Sequence, residues 1–381
     1  MLIAFINFIL LLCLGIPVAY FAVFSFAALL CRRRSPVAGD GGGHSFVILI
    51  PAYKSDSSIL DTALAAAAQD LPEDRFRVLV ISDSMRPQTV ESLRNEGVEV
   101  LEVTFTNSTK AKSLLAATEY LGPGAAEAVV ILDADNIVSP QFLRDIDGAW
   151  RPGTAIQAHR TAKNRDSSVA VIDAVSEEIN NSIFRKGHNA LGLSSALIGS
   201  GMVFDYGWFH ANASSFTTSG EDKEMELKLL QDGIKVEYLE SVKVLDEKTR
   251  TQSNYYNQHR RWTASQYNLF PDALKKMKDA ADKIGYFDKL LQWTFPSRMI
   301  ILAGVPLVAI MFSLARSGYA ILWWALTLVM AASMLAGVPR EQRDRKLAAS
   351  LVKVPALAMT AVANLFRIKG TKDKFIHTEH K

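Results

Sequence analysis

Charge is absent from the first thirty residues of this 381-residue chain, and cysteine is nearly absent from all of it. Only Cys13 and Cys31 occur, both in the apolar N-terminal stretch, so the disulfide framework of a small secreted domain is not available. A surplus of one charge sign is also lacking. Lys and Arg number 42 against 39 Asp and Glu, for a formal net charge of +3, so no broad nucleic-acid face is implied. No glycine-rich loop of the P-loop or GxGxxG kind occurs, so a bound phosphate has to be met by a metal or by basic side chains.

What is present is unevenly distributed. Residues 1–30 are long enough to cross a bilayer as one helix. They have no basic leading segment, and Arg32-Arg33-Arg34 follows in place of a small-residue cleavage site, so a retained anchor is expected. The positive-inside rule puts those arginines in the cytoplasm. Residues 299–314 and 319–338 predict a second pair of spans, joined by Ala315-Arg316-Ser317-Gly318 and flanked by Arg298, Arg340, Arg343, Arg345 and Lys346. Residues 347–366 are apolar but carry Lys353 and Pro355, and predict an interfacial or re-entrant segment.

The organisation expected is therefore an N-terminal transmembrane helix at 1–31, a basic and Gly-rich linker at 32–44 and a soluble α/β domain at 45–270. An amphipathic interface helix at 271–297 follows, then a transmembrane hairpin at 298–339 and an interfacial segment with a charged tail at 340–381. Such a chain is a multi-pass protein of the cell (inner) membrane with its middle domain in the cytoplasm. His377 and His380 in the tail do not form a convincing metal site.

Between residues 45 and 160, apolar runs alternate with helical stretches: SFVILIP, FRVLVIS, VEVLEV and AVVILD predict four strands. Alternation of this kind implies a mostly parallel sheet whose ligands bind beyond the carboxyl ends of the strands. Those ends carry Pro51-Ala52-Tyr53-Lys54, then Ser82-Asp83-Ser84, then Asp133-Ala134-Asp135. A tyrosine face can stack on a base, and a carboxylate can accept from a ring N–H or a ribose hydroxyl. In an extended chain Asp133 and Asp135 project to one side, where unpaired they repel.

Three readings of the acid pair compete: a metal-bound nucleotide site, a calcium loop and an aspartyl phosphatase nucleophile. The calcium loop fails, because its sixth and twelfth positions are Val138 and Arg144 rather than Gly and Glu. A phosphatase motif normally ends the first strand of its domain. This one follows three earlier strands and continues into Asn136-Ile137.

Further along, SGEDKEMELKLL holds Glu221-Asp222 at the start of a helical pattern, and QHRRW spans Gln258 to Trp262. The ordered set of PAY, Asp83, the Lys-rich TKAKSLL with Lys110 and Lys112, DAD, the acid pair and Gln-x-x-Arg-Trp resembles a family 2 glycosyltransferase. It is most similar to the cellulose, chitin and hyaluronan synthase branch, and ceramide glucosyltransferases share much of the set. The resemblance covers roughly residues 45–300 and removes the phosphatase reading. Two positions depart from the family pattern, Leu115 in place of Asn and Lys54-Ser55 in place of Asn-Glu.

The resemblance implies a GT-A fold, a Rossmann-like, mostly parallel mixed sheet, with transmembrane helices at both ends. It implies inverting transfer of a sugar from a nucleotide-sugar, expected to be a UDP-sugar, to a growing polysaccharide, the alternative acceptor being a membrane lipid. Asp135 would ligate Mg2+ or Mn2+, with Asp133 supporting the metal and contacting the sugar or ribose. Tyr53 and Asp83 would recognise the base, with Pro51 and Ala52 beside them in the nucleotide-sugar site, and Lys110, Lys112 and Arg261 would meet the diphosphate. Asp222 would be the catalytic base with Glu221 beside it, and Gln258 and Trp262 would border the acceptor. Expected partners are the donor, a glycan or lipid acceptor and membrane lipids, with a possible oligomer or export partner and no nucleic acid. A non-catalytic membrane scaffold of the same fold predicts decayed acid motifs, and all three are intact.

Overall fold

The computed structural model describes residues 1–31 and 42–366. The basic stretch Arg32-Arg33-Arg34 and the tail with His377 and His380 lie outside the described residues.

Eight strands form one mixed sheet: β1 (Phe46–Tyr53), β2 (Phe76–Asp83), β3 (Glu99–Val103), β4 (Ala128–Ile131), β5 (Ile137–Val138), β6 (Ala155–Ala162), β7 (Met202–Asp205) and β8 (Val236–Asp246). Their spatial order is β3-β2-β1-β4-β7-β6-β8-β5. The four strands expected from sequence are β1 to β4, and β1, β2, β3 and β4 pair in parallel. Their near-continuous Val, Ile and Leu runs suit a sheet covered on both faces. Ile48, Ile50 and Val80 pack one way, toward Ile59, Leu93 and Phe142 on one helical layer. Val47, Leu49 and Leu79 pack the other way, toward Leu114, Phe209 and Met225.

The sheet changes direction at β4, which runs parallel to β1 and antiparallel to β7. Such a reversal leaves a crevice past the strand ends. In register, Tyr53 lies opposite Asp83 at the end of β1 and β2. The two-residue β5 pairs with Val244 and Leu245, which brings the end of β8 next to the turn after β4.

Among the described residues, three helices are long and apolar enough to cross a membrane: Leu2–Leu30, Tyr319–Gly337 and Arg345–Ala363. The expected hairpin is present as Arg298–Leu314 and Tyr319–Gly337, and the first arm forms a 63° bend with Lys283–Thr294. The N-terminal helix buries Val18, Phe21 and Phe24 against Ile301, Val305, Trp323 and Met330. Its Phe5, Phe8, Phe26 and Leu29, with Leu307, Ile321 and Leu328 of the hairpin, stay exposed. Apolar faces of that extent fit a lipid environment.

The single interface helix expected over 271–297 is not what forms. The helix Gln252–Lys276 runs through position 270 and contains Pro271, and a separate helix, Lys283–Thr294, begins at a cap in which Asp282 accepts from the Gly285 N–H at 2.9 Å. Ala273, Tyr286, Leu290 and Trp293 bury against Leu227 and Leu230 of the helix Glu221–Gln231, so this region packs on the soluble domain. Leu274, Ile284 and Phe287 remain exposed.

Candidate active site

Period-two geometry sorts the end of β1. Pro51 and Tyr53 point into a cleft of about 220 Å³, which is room for a multi-atom ligand, while Ala52 points into the core. Ala52 thus contributes backbone and packing rather than a surface for a base. Next to Tyr53, Asp83 is fully buried. Its Oδ1 accepts from the Ser84 hydroxyl at 2.9 Å, and its Oδ2 has no hydrogen-bond partner among the described residues. A buried carboxylate oxygen without a donor costs about 1–3 kcal/mol or more. Lining the cleft, it is chemistry prepared for a ligand N–H or O–H.

Asp133 and Asp135 both reach the cleft, but by a turn rather than by strand alternation. β4 ends at Ile131, and the Asn136 N–H donates to the Asp133 carbonyl at 3.1 Å. Asp133 is ion-paired with Lys110 and lies 4.0 Å from Arg160. Asp135 is more deeply buried. Burial, then the charges of Asp246 and Asp133, push its carboxyl well above the usual range, with Arg160 opposing. A divalent cation would offset that accumulation of negative charge, and the all-oxygen donor set suits Mg2+ or Mn2+.

The two lysines of TKAKSLL separate cleanly. Thr109 caps the helix Lys110–Leu121 by accepting from the Lys112 N–H. Lys110 turns inward and donates to the Gly199 carbonyl at 2.5 Å as well as pairing with Asp133. Lys112 is exposed, donates to the Asn107 carbonyl at 2.6 Å and does not line the cleft. Of the two lysines expected to meet a phosphate, Lys110 lines the cleft and Lys112 does not.

Across the cleft, Glu221 and Asp222 begin the helix Glu221–Gln231. Burial pushes the Glu221 carboxyl up to about 7, with Lys110 pulling it down and Asp222 adding to the rise. Asp222 lines the cleft and accepts from the Lys223 N–H at 2.9 Å. Gly220 permits the close approach of the next element, since a Cβ there would lie 2.9 Å from the Ser265 Cβ. That approach lets Gln258, Arg261 and Trp262 face the same cleft from the helix Gln252–Lys276. The buried Gln258 Oε1 has no hydrogen-bond partner among the described residues, and Trp262 is 36% exposed. Arg261 feels the charges of Glu221, Asp133 and Asp222.

Several cleft residues were not anticipated from sequence. Arg160 at the end of β6, Gly199 and Asp246 at the end of β8 all line it. Arg160 donates to Glu177 at 2.9 Å, and Glu177 is shared with Arg185 and Lys248, so a buried charge network backs the site. The sequence signal for part of this was the Gly199-Ser200-Gly201 tripeptide. Both glycines adopt positive φ, +84° and +64°, and a Cβ on Gly201 would meet the Val244 side chain at 2.9 Å.

Known proteins match both halves of this arrangement. The model for glycosyl transferase family group 2 covers residues 128–337, more than half of the chain, and that for glycosyl transferase family 2 covers residues 47–170. The UDP-forming cellulose synthase catalytic subunit of Pseudomonas fluorescens is 23% identical over 279 residues, which span 70% of this chain and 37% of that protein. The Staphylococcus aureus poly(ribitol-phosphate) β-N-acetylglucosaminyltransferase TarS is 28% identical over 106 residues, 26% of this chain and 18% of that protein. The chain thus spans well under half the length of these curated relatives. In fold it is similar to the mannosyltransferase PcManGT of Pyrobaculum calidifontis, solved with GDP-Man and Mn2+, with a TM-score of 0.53 and 15% identity over 85% of this chain and 96% of that one. The chain belongs to glycosyltransferase family 2 and has the GT-A fold.

Proposed function

We propose that this chain is a membrane-bound, metal-dependent, inverting glycosyltransferase that moves a sugar from a UDP-sugar to a growing polysaccharide on the cytoplasmic face. One observation carries the reading. Tyr53 with Asp83, the Asp133–Asp135 turn, Asp222, and Gln258 with Arg261 and Trp262 come from separate segments and line one cleft.

Each group has a physical task. Tyr53 offers a face to the base. Asp83 has one oxygen occupied by Ser84, which leaves one acceptor, matching the single imide N–H of uracil better than the paired donors of guanine. Lys110 and Arg261 supply positive charge along the diphosphate. Asp135, with Asp133 beside it, would hold a divalent cation, which would supply positive charge to the leaving nucleoside diphosphate. Among the described residues no three acids or imidazoles gather as an ion cage.

The acceptor hydroxyl lies between Asp222 and the anomeric carbon. Asp222 takes its proton as the oxygen attacks, the bond to the diphosphate oxygen breaks on the opposite face, and UDP leaves. A general base of this kind contributes about 10²–10⁴ in rate. Gln258 offers an unfilled acceptor to a sugar hydroxyl, and Trp262 a flat wall for a sugar face.

A single transfer to a membrane lipid is the second reading, favoured by the small number of candidate spans among the described residues, three or up to four with the bent pair. The test is nucleoside diphosphate release by the purified full-length protein from a panel of UDP-, GDP- and dTDP-sugars with Mg2+ or Mn2+, with and without lipid extract. Metal-dependent release from one UDP-sugar supports the reading. Lipid dependence selects the second acceptor, a lengthening product the first, and no release from any donor overturns both.

A further inference from the structure

Asn136, directly after the acid pair, is fully buried and uses its entire hydrogen-bonding capacity inside the site. Its Oδ1 accepts from the Asp133 N–H at 3.0 Å and from the Ser200 hydroxyl. Its Nδ2 donates to Asp135 Oδ1 at 3.2 Å and to Asp246 Oδ1 at 3.0 Å. The amide has one sensible orientation. Turned over, its oxygen would face two carboxylates and its NH2 a backbone N–H. The Ser200 hydroxyl also accepts from the Asp133 N–H, at 3.2 Å.

Asp246 is anchored without reference to the turn. Its Oδ2 accepts from Lys248 at 2.8 Å, and its Oδ1 lies 3.8 Å from Arg160. Lys248 and Arg160 are themselves fixed by Glu177 at 3.3 and 2.9 Å. The end of β8 thus provides a rigid reference point, 110 residues away in sequence, to which the NH2 of Asn136 ties Asp135. The same NH2 lies between two carboxylates that would otherwise repel, a task that Asp at this position could not perform because an ionised carboxylate has no proton to donate.

We propose that Asn136, held by Ser200 and by Asp246, is a positioning residue that fixes the Asp135 carboxylate for the divalent cation. The proposal rests on the reading that Asp135 is a cation ligand. Partners that orient a ligating carboxylate typically account for 10–100-fold in metal affinity.

The test is Mn2+ binding to the full-length protein in detergent with UDP present, followed by loss of the free-ion electron paramagnetic resonance signal. Wild type, D135A, N136A and S200A are compared, with thermal melting of each. The expected result is that D135A abolishes binding, N136A weakens it 10–100-fold and S200A weakens it a few-fold. In turnover, N136A should raise the half-saturating Mn2+ concentration far more than it lowers kcat at saturating Mn2+, a split that loss of folded protein would not produce. If D135A loses Mn2+ while N136A and S200A bind like wild type, the positioning role is wrong and the metal reading stands. If D135A binds like wild type, the metal reading itself fails and takes this role with it. Should N136A not fold, the milder S200A decides alone.

Discussion

Lys110 and Asp133 form an ion pair inside the cleft, and the same ammonium donates to the Gly199 carbonyl at 2.5 Å. Asp133, Glu221 and Asp222 all raise the lysine's proton affinity against the effect of burial, so it stays charged. A cation fixed at the junction of three acids is set to meet a diphosphate. Hydrogen bonds to charged groups contribute about 1.5–3 kcal/mol, so K110A should raise the donor KM by roughly 10–100-fold. K112A should leave it within about twofold, because Lys112 lies outside the cleft, donating to the exposed Asn107 carbonyl and lying over the Phe105 ring. Steady-state kinetics on the two variants separates them, and equal effects would contradict the assignment.

Asp222 and Asp135 are expected to fail differently. D222N keeps the shape of the base and removes its ability to take a proton, so donor binding should persist while kcat falls by about 10²–10⁴. D135A should weaken metal-dependent UDP binding and turnover together. Calorimetric titration of UDP in Mn2+, with and without a chelator, gives the binding half of the comparison. A D222N enzyme with normal turnover would remove Asp222 from the mechanism.

The sequence made the rim of the sheet readable because β1, β2 and β4 are largely buried on both faces and give way abruptly to polar residues. Tyr53, Asp83, Asp133 and Asp135 could therefore be placed together before any coordinates. The choice between Lys110 and Lys112 was not readable, since it depends on which residue begins the helix, and that was decided by the Thr109 cap. Asp246, Arg160 and Ser200 were missed for a different reason. Their roles come from pairings such as Asn136 with Asp246 and Asn136 with Ser200, which local periodicity does not encode. One amphipathic helix was expected over residues 271–297, whereas Asp282 caps a new helix within that range. His188 is fully buried at the junction of three elements, in contacts that its sequence neighbours do not signal.

Glu221 gives a pH dependence with a definite sign. Burial pushes its carboxyl from the ordinary 4.5 up to about 7, so between those values the folded chain binds more protons than the unfolded one. Stability from this group is complete below about pH 4.5 and is lost as pH rises through about 7. E221Q, which stays neutral, should therefore melt higher than wild type at pH 8, by an amount on the order of 1–3 kcal/mol, and the difference should close as the pH falls below about 4.5. Thermal unfolding of the detergent-solubilised protein across that range reads it directly. A gap that widens toward low pH would mean that the carboxylate is stabilised, not penalised, in the fold.

A polar cluster joins the N-terminal helix to the helices His188–Ala190 and Lys283–Thr294. The Tyr20 hydroxyl lies 2.6 Å from Asp288 Oδ1, to which it donates, and 2.7 Å from His188 Nε2. His188 uses its Nδ1–H on the Ile183 carbonyl at 2.7 Å and stacks on Phe24 with ring centroids 3.8 Å apart. Gln292 Nε2 donates to Asp288 Oδ2 at 2.7 Å and lies 3.1 Å from His188 Nε2. The following residue, Lys289, pairs at 2.9 Å with Glu226 on the helix that begins with Glu221 and Asp222. Y20F removes the donor to Asp288 and leaves a buried acceptor unfilled, at a cost of about 1–3 kcal/mol. The full-length protein should melt several degrees lower in detergent, with kcat falling only as far as the catalytic helix shifts. An unchanged melting temperature would mean that apolar packing alone docks the N-terminal helix and that the Tyr20 hydroxyl contributes nothing to it.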